Sequence, residues 1–105
     1  MHPDKVIREK VQKLTDLPNI GKTVAADLAR IGITEPDQLR GEDPYDLYVR
    51  FCTAFGEKQD PCMLDVLMSI TDFMNGGEPR VWWDYTAERK RRYGQKIAVS
   101  KTLPA

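Results

Sequence analysis

Apolar side chains recur at helical spacing almost from the first residue. Val6, Ile7, Val11 and Leu14 fall on one face of a helix over residues 4–14. "LPNIG", residues 17–21, breaks that run with Pro18 and Gly21. Val24, Ala25, Leu28 and Ile31 restore the period on a second helix over residues 22–31, and Gly32 stands where a left-handed residue closes a helix. Thr34 and Asp37 have the spacing of a capping box, with Asp in place of Glu, opening a short helix that ends near Leu39. Asp43-Pro44 and Asp60-Pro61 each set a capping carboxylate ahead of a proline at the first helical position. The first of these helices carries Leu47, Tyr48, Phe51, Cys52 and Phe55 and stops at Gly56. The second carries Met63, Leu64, Val66, Leu67, Met68, Ile70, Phe73 and Met74. It is apolar nearly all round, which predicts the central and most buried helix. Gly76-Gly77 ends it and Pro79 bars its return. No segment alternates like a strand, and no helical period continues past Gly94. The pattern predicts an all-α fold, a single compact bundle of about five helices with its core between Val6 and Met74. Residues 1–93 form one domain in this reading, and residues 94–105 a flexible tail.

Composition adds limits. A chain of 105 residues can bury a modest core without staples. No apolar run approaches the ~20 residues of a membrane span, so no membrane partner is expected. The opening "MHPDKVIREKVQK" is charged throughout, unlike a secretory signal. Two cysteines do not make a disulfide framework, and the expected compartment is a reducing cytoplasm. Sixteen basic and sixteen acidic residues leave no net charge, but the charge is segregated. Residues 1–22 and 86–105 are net basic, and everything between is net acidic. Phosphate contact is therefore open locally, although the overall field does not demand it.

The turn at residues 17–21 carries the chemistry. It leaves the first amides of the next helix unpaired: those of Ile20, Gly21, Lys22 and Thr23. Unpaired amides and the positive end of the helix dipole make an anion site. Gly21 takes a backbone conformation closed to other residues and permits close approach, and Asn19 tolerates the left-handed region. Lys22 adds a cation and Thr23 a hydroxyl. A phosphate held this way is read without regard to base sequence, which predicts weak, non-specific binding to duplex DNA. The same turn also packs helices in domains that bind only proteins, and that alternative stays open.

Four further features bear on function. "ERKRRYGQK", residues 88–96, places Arg89, Lys90, Arg91 and Arg92 in one run, either a solvated helix face or a second phosphate contact. Trp82 and Trp83 follow a Gly-Gly-Glu-Pro break. Adjacent rings cannot both face one core, so one is expected to plug the bundle. The other, beside Tyr85, would be free to stack on a base or anchor a protein partner; both lying over the core as a lid is the alternative. Cys52 and Cys62 read as small buried residues. Cys62 opens a helix, which would lower its pKa if exposed, so a thiol-dependent redox role is a more distant reading. No catalytic set is present. There is no Ser-His-Asp combination, and His2 is the one histidine, too few for a zinc site. "NIGKT" lacks the earlier glycine of a Walker loop. No cofactor is expected.

"LPNIGKTVAADLARIGI", residues 17–33, resembles the helix-hairpin-helix motif of DNA repair and recombination proteins, a SAM-like unit. Asn19 stands where that pattern has its first glycine. The resemblance implies that carbonyls of Thr15, Leu17 and Ile20 could hold a monovalent cation. With "LRGEDPYDLYVRFC", "DPCMLDVLMSI" and "PRVWWDYTAERK", the chain resembles, over roughly residues 12–90, the small bacterial pathogenicity-locus family, often labelled mitomycin-resistance proteins. The hairpin is also similar to the C-terminal domain of TfoX-type competence regulators. These resemblances imply a helical, cytoplasmic protein linked to DNA repair or DNA-damage resistance, and no reaction. The combined expectation is a non-enzymatic nucleic-acid-binding accessory protein.

Overall fold

The computed structural model describes residues 1–99. Its architecture follows from where the capping signals lie. The Asp43 carboxylate accepts from the Tyr45 amide at 2.9 Å and starts α2, Pro44–Phe55. Asp60 does the same for Cys62 at 2.8 Å and starts α3, Pro61–Met74. Gly56, at φ 73°, closes α2 in the left-handed region that favours glycine. Ahead of them lies α1, Lys22–Arg30, and behind them α4, Thr86–Val99. Short 3-10 turns fill the connections, and no strand occurs among the described residues, so the fold is all-α.

Helix α3 is the centre, as its composition predicts. Leu64, Leu67, Met68, Ile70, Phe73 and Met74 are buried, and α3 packs on α2, on α4 and on the turn Trp82–Tyr85. It also buries three polar residues, and each is satisfied. Thr71 donates to the Leu67 carbonyl at 2.9 Å, Ser69 to Val66 at 2.6 Å, and Asp65 accepts from α4. Helix α1 is peripheral. Only Leu28 of it is buried, and its C-terminus is pinned to α2. There Arg50 donates to the Ile31 carbonyl, and Arg30 donates to Ala54 and covers the Phe55 ring. Cations suit the negative end of a helix.

Four expectations are corrected. Residues 4–14 do not form an α-helix. They form 3-10 turns at Pro3–Lys5 and Arg8–Lys10, with a third at Leu14–Asp16. Val6, Ile7 and Val11 between the turns are extended, the conformation β-branched residues favour. Asp16 reinforces this by accepting from the Gln12 and Lys13 amides, which a helix would need for itself. Those two amides hold the Asp16 carboxyl below the usual carboxylate range. Ile7, placed on the buried face by its spacing, is exposed. The segment entering the turn at residues 17–21 is thus a 3-10 turn, Leu14–Asp16, and not the first α-helix that a helix-hairpin-helix unit would have.

Second, Thr34 and Asp37 do not form the cap. Gln38 takes that role, accepting from the Thr34 amide and hydroxyl and from the Glu35 amide. Third, α4 runs through Gly94 to Val99, so the helix covers the first part of the expected tail; residues 100–105 lie outside the described residues. Fourth, the core does not end at Met74. Tyr85, Arg89, Tyr93 and Ile97 are buried, and Arg89, Tyr93 and Ile97 form an every-fourth-residue stripe on α4. Tyr93 stacks on Tyr45 of α2 at 5.4 Å.

Candidate nucleic-acid interface

The hairpin turn is anchored from below. Leu14, Leu17 and Ile20 are buried with Leu28 of α1, which fixes the path of residues 17–21. The left-handed position is Asn19, at φ 68°. Gly21 is extended, at φ −101° and ψ −173°, a conformation open to any residue. Gly21 is therefore not conformationally required, contrary to expectation. A Cβ built on it would meet nothing within 4 Å. The amide of Ile20 is also not free, since it donates to the Leu17 carbonyl at 3.4 Å, and its side chain is buried. That leaves Gly21, Lys22 and Thr23, all exposed. Their amides find no acceptor among the described residues, and no side chain caps α1.

Asn19 does more than tolerate a turn. Its side-chain amide donates to the Ser69 hydroxyl at 3.0 Å and to the Arg80 carbonyl at 2.8 Å. The hairpin is thereby bolted both to α3 and to the segment that leads into the tryptophans. The amino group of Met1 donates to the Leu17 carbonyl at 3.0 Å and the Ile20 carbonyl at 2.6 Å. Two of the three carbonyls named for a monovalent cation thus accept from the Met1 amino group. Burial lowers the pKa of that group, and the Asp16 carboxylate opposes the shift.

Trp82 and Trp83 meet edge to face, 5.4 Å apart and at 87°. Trp82 is half-buried and Trp83 is 58 % exposed, so neither plugs the bundle. With Val81 they line a groove of about 380 Å³ that is also lined by the turn at Asn19, Ile20 and Gly21 and by Met1, His2 and Pro3. Tyr85 is not on that surface. It is buried, donates to Asp72 at 2.7 Å, and lies under the Arg80 guanidinium, which removes it as a partner contact. Burial and the Asp72 carboxylate push its hydroxyl well above the ordinary phenol range.

The run at residues 89–92 divides. Arg89 is buried and donates to Asp65 at 2.8 Å, so it is a core residue and not a phosphate contact. Arg91 and Arg92 face Glu88 at 3.5 and 3.6 Å. Lys90 is exposed. Arg92 lines a different groove, with Asp72, Arg80 and Glu88, that shares no residue with the hairpin groove. Nearer the hairpin are cations that sequence reasoning passed over. Lys5 and Lys10 line a groove that meets the hairpin groove at Met1. Among the described residues, neither they nor Lys22 forms an ion pair. The basic surplus of residues 1–22 was the signal available for them.

Cys52 is buried and its sulfur accepts from the Gln59 amide at 3.4 Å. Cys62 is half-buried. Its thiol is raised, first by burial and then by Asp60, with Arg89 opposing, so the helix start does not lower it. A raised thiol holds less thiolate at neutral pH. Cys62 should therefore label with a maleimide more slowly than free cysteine at pH 7, its rate climbing only above the ordinary thiol range. Labelling faster than free cysteine would reinstate a reactive thiol. Among the described residues no group of three metal-ligating side chains converges, and no helix is long and apolar enough to cross a membrane.

The hairpin, the tryptophan pair and the buried Asp65–Arg89 junction all lie within one stretch shared with other proteins. The family described as "Pathogenicity locus" (Cdd1) matches residues 7–91. The mitomycin resistance protein McrB of Streptomyces lavendulae is 54 % identical over 78 residues, which is 74 % of this chain and 74 % of that protein. No solved structure matches the chain. With the greater part of the sequence matched and its central helix, hairpin and tryptophans inside the match, the chain belongs to the Pathogenicity locus family.

Proposed function

We propose that this chain binds the sugar–phosphate backbone of nucleic acid, regardless of base sequence, through the head of α1. In this reading it is a non-enzymatic accessory in resistance to DNA damage. The name of the Streptomyces relative, a mitomycin resistance protein, supports the second part. Gly21 carries the first. Neither its dihedral angles nor its packing calls for glycine, yet it carries the first of three exposed amides without acceptors. A bare backbone there suits an anion that must come close. Lys22 adds charge at the site, and Lys5 and Lys10 extend it. A lone phosphate site binds weakly, at ~10⁻⁴ M or poorer in physiological salt, so these neighbours matter.

The test is Gly21→Ala, titrated against duplexes of unrelated sequence. The methyl group enters open space, and stability should stay within about 1 kcal/mol, as the poorer cap offsets the less flexible unfolded chain. Duplex affinity should fall by about tenfold for every sequence, equivalent to one hydrogen bond to a charged group. Equal binding by variant and parent would remove the head of α1 from the reading. A protein-interaction module is the second reading, and the exposure of Trp83 favours it. The raised Cys62 thiol counts against the thiol-dependent one.

A further inference from the structure

We propose that the groove between the hairpin turn and the tryptophan pair takes an unpaired nucleobase, stacked on Trp83. This rests on the backbone-binding reading above and names the form of nucleic acid that the surface prefers: single-stranded, or locally unpaired.

Beside Met1, His2 and Pro3, the groove has two linings that differ in chemistry. One is aromatic, with Trp83 58 % exposed and braced edge-on by Trp82. The other is the turn at Asn19, Ile20 and Gly21, which leads directly to free amides and the Lys22 ammonium. A purely apolar occupant would leave those donors idle, and a simple anion would leave the indole in water. A nucleotide has both a flat ring and an anion one sugar apart. Bases stack on exposed indoles without sequence preference, because every base has a π-face. A base inside a duplex already has both faces covered by its neighbours, so the ring that stacks here must be unpaired. The platform is also preorganised. Asn19 ties the turn to the Arg80 carbonyl, two residues before Trp82, and to Ser69 of the central helix. The departure from the usual glycine at that position is what joins the phosphate end of the groove to its stacking end.

Trp82 and Trp83 are the chain's two tryptophans, so intrinsic fluorescence reads this groove directly. The full chain is titrated at low salt with a short oligothymidylate, a base-free deoxyribose-phosphate strand of equal length, and a blunt duplex. The oligothymidylate should bind about tenfold more tightly than the base-free strand and quench the indole emission. Trp83→Ala should reduce it to the base-free level and leave the other two probes unchanged. Trp83→Phe should recover part of the difference. Lys22→Glu should weaken all three alike. Equal binding of base-bearing and base-free strands overturns the stacking proposal while backbone binding stands. Failure of all three probes to bind overturns both and assigns Trp83 to a protein partner.

Discussion

Asp65→Ala should destabilise the fold by about 3–5 kcal/mol, read as a lower urea midpoint at unchanged slope. Asp65 is fully buried on the central helix. It accepts from Arg89 at 2.8 Å and from the Thr86 hydroxyl at 2.6 Å. Removing the carboxylate strands a guanidinium that is itself buried on α4, and an uncompensated buried charge is the costly outcome. Arg89→Ala should cost a similar amount by stranding the carboxylate. Replacing both together by leucine and methionine should cost far less than the two single changes summed, because no charge is then left unpaired. Additive losses would show that each residue acts by packing alone. The same geometry bars a simple deletion of the basic segment. Cutting after Thr86 would strip Arg89, Tyr93 and Ile97 from the core, so any loss of binding would follow from unfolding.

What could be read from the chain was what is decided locally. Asp43-Pro44, Asp60-Pro61 and Gly56 act within one turn, and the helices begin and end where those residues say. The Thr34 cap was lost to a near neighbour, Gln38, but the larger misreadings have a cause in distant partners. Arg8 is held by carbonyls of Phe73 and Gly77 and covers the Phe73 ring, which helps to pin residues 4–14 in turns despite their helical spacing. Arg89 looked like one of four surface cations because its partner lies 24 positions earlier. With arginine admitted to the buried stripe, residues 89, 93 and 97 would have revealed α4 beyond Gly94. At the hairpin, the tolerance of Asn19 for the left-handed region was legible. Its bonds to Ser69 and Arg80 were not, and neither was the groove that they assemble.

Lys22→Glu should weaken duplex binding by at least tenfold at low salt, equally for all sequences, and flatten the salt dependence by about 1–2 units. One cation is lost and one anion gained at the point where a phosphate would sit. Folding should move the other way. The first turn of α1 holds no acidic residue, and a carboxylate at the positive end of a helix stabilises it by about 0.3–1 kcal/mol. A variant that melts no lower than the parent yet binds less isolates the surface effect from the fold. Lys90→Glu supplies the comparison, since Lys90 is exposed on α4 outside the hairpin groove. If the head of α1 is the interface, this second variant should change affinity only slightly, through the long-range field that salt screens. The reverse ranking, with Lys90→Glu severe and Lys22→Glu silent, would move the interface to α4 and leave the hairpin as architecture.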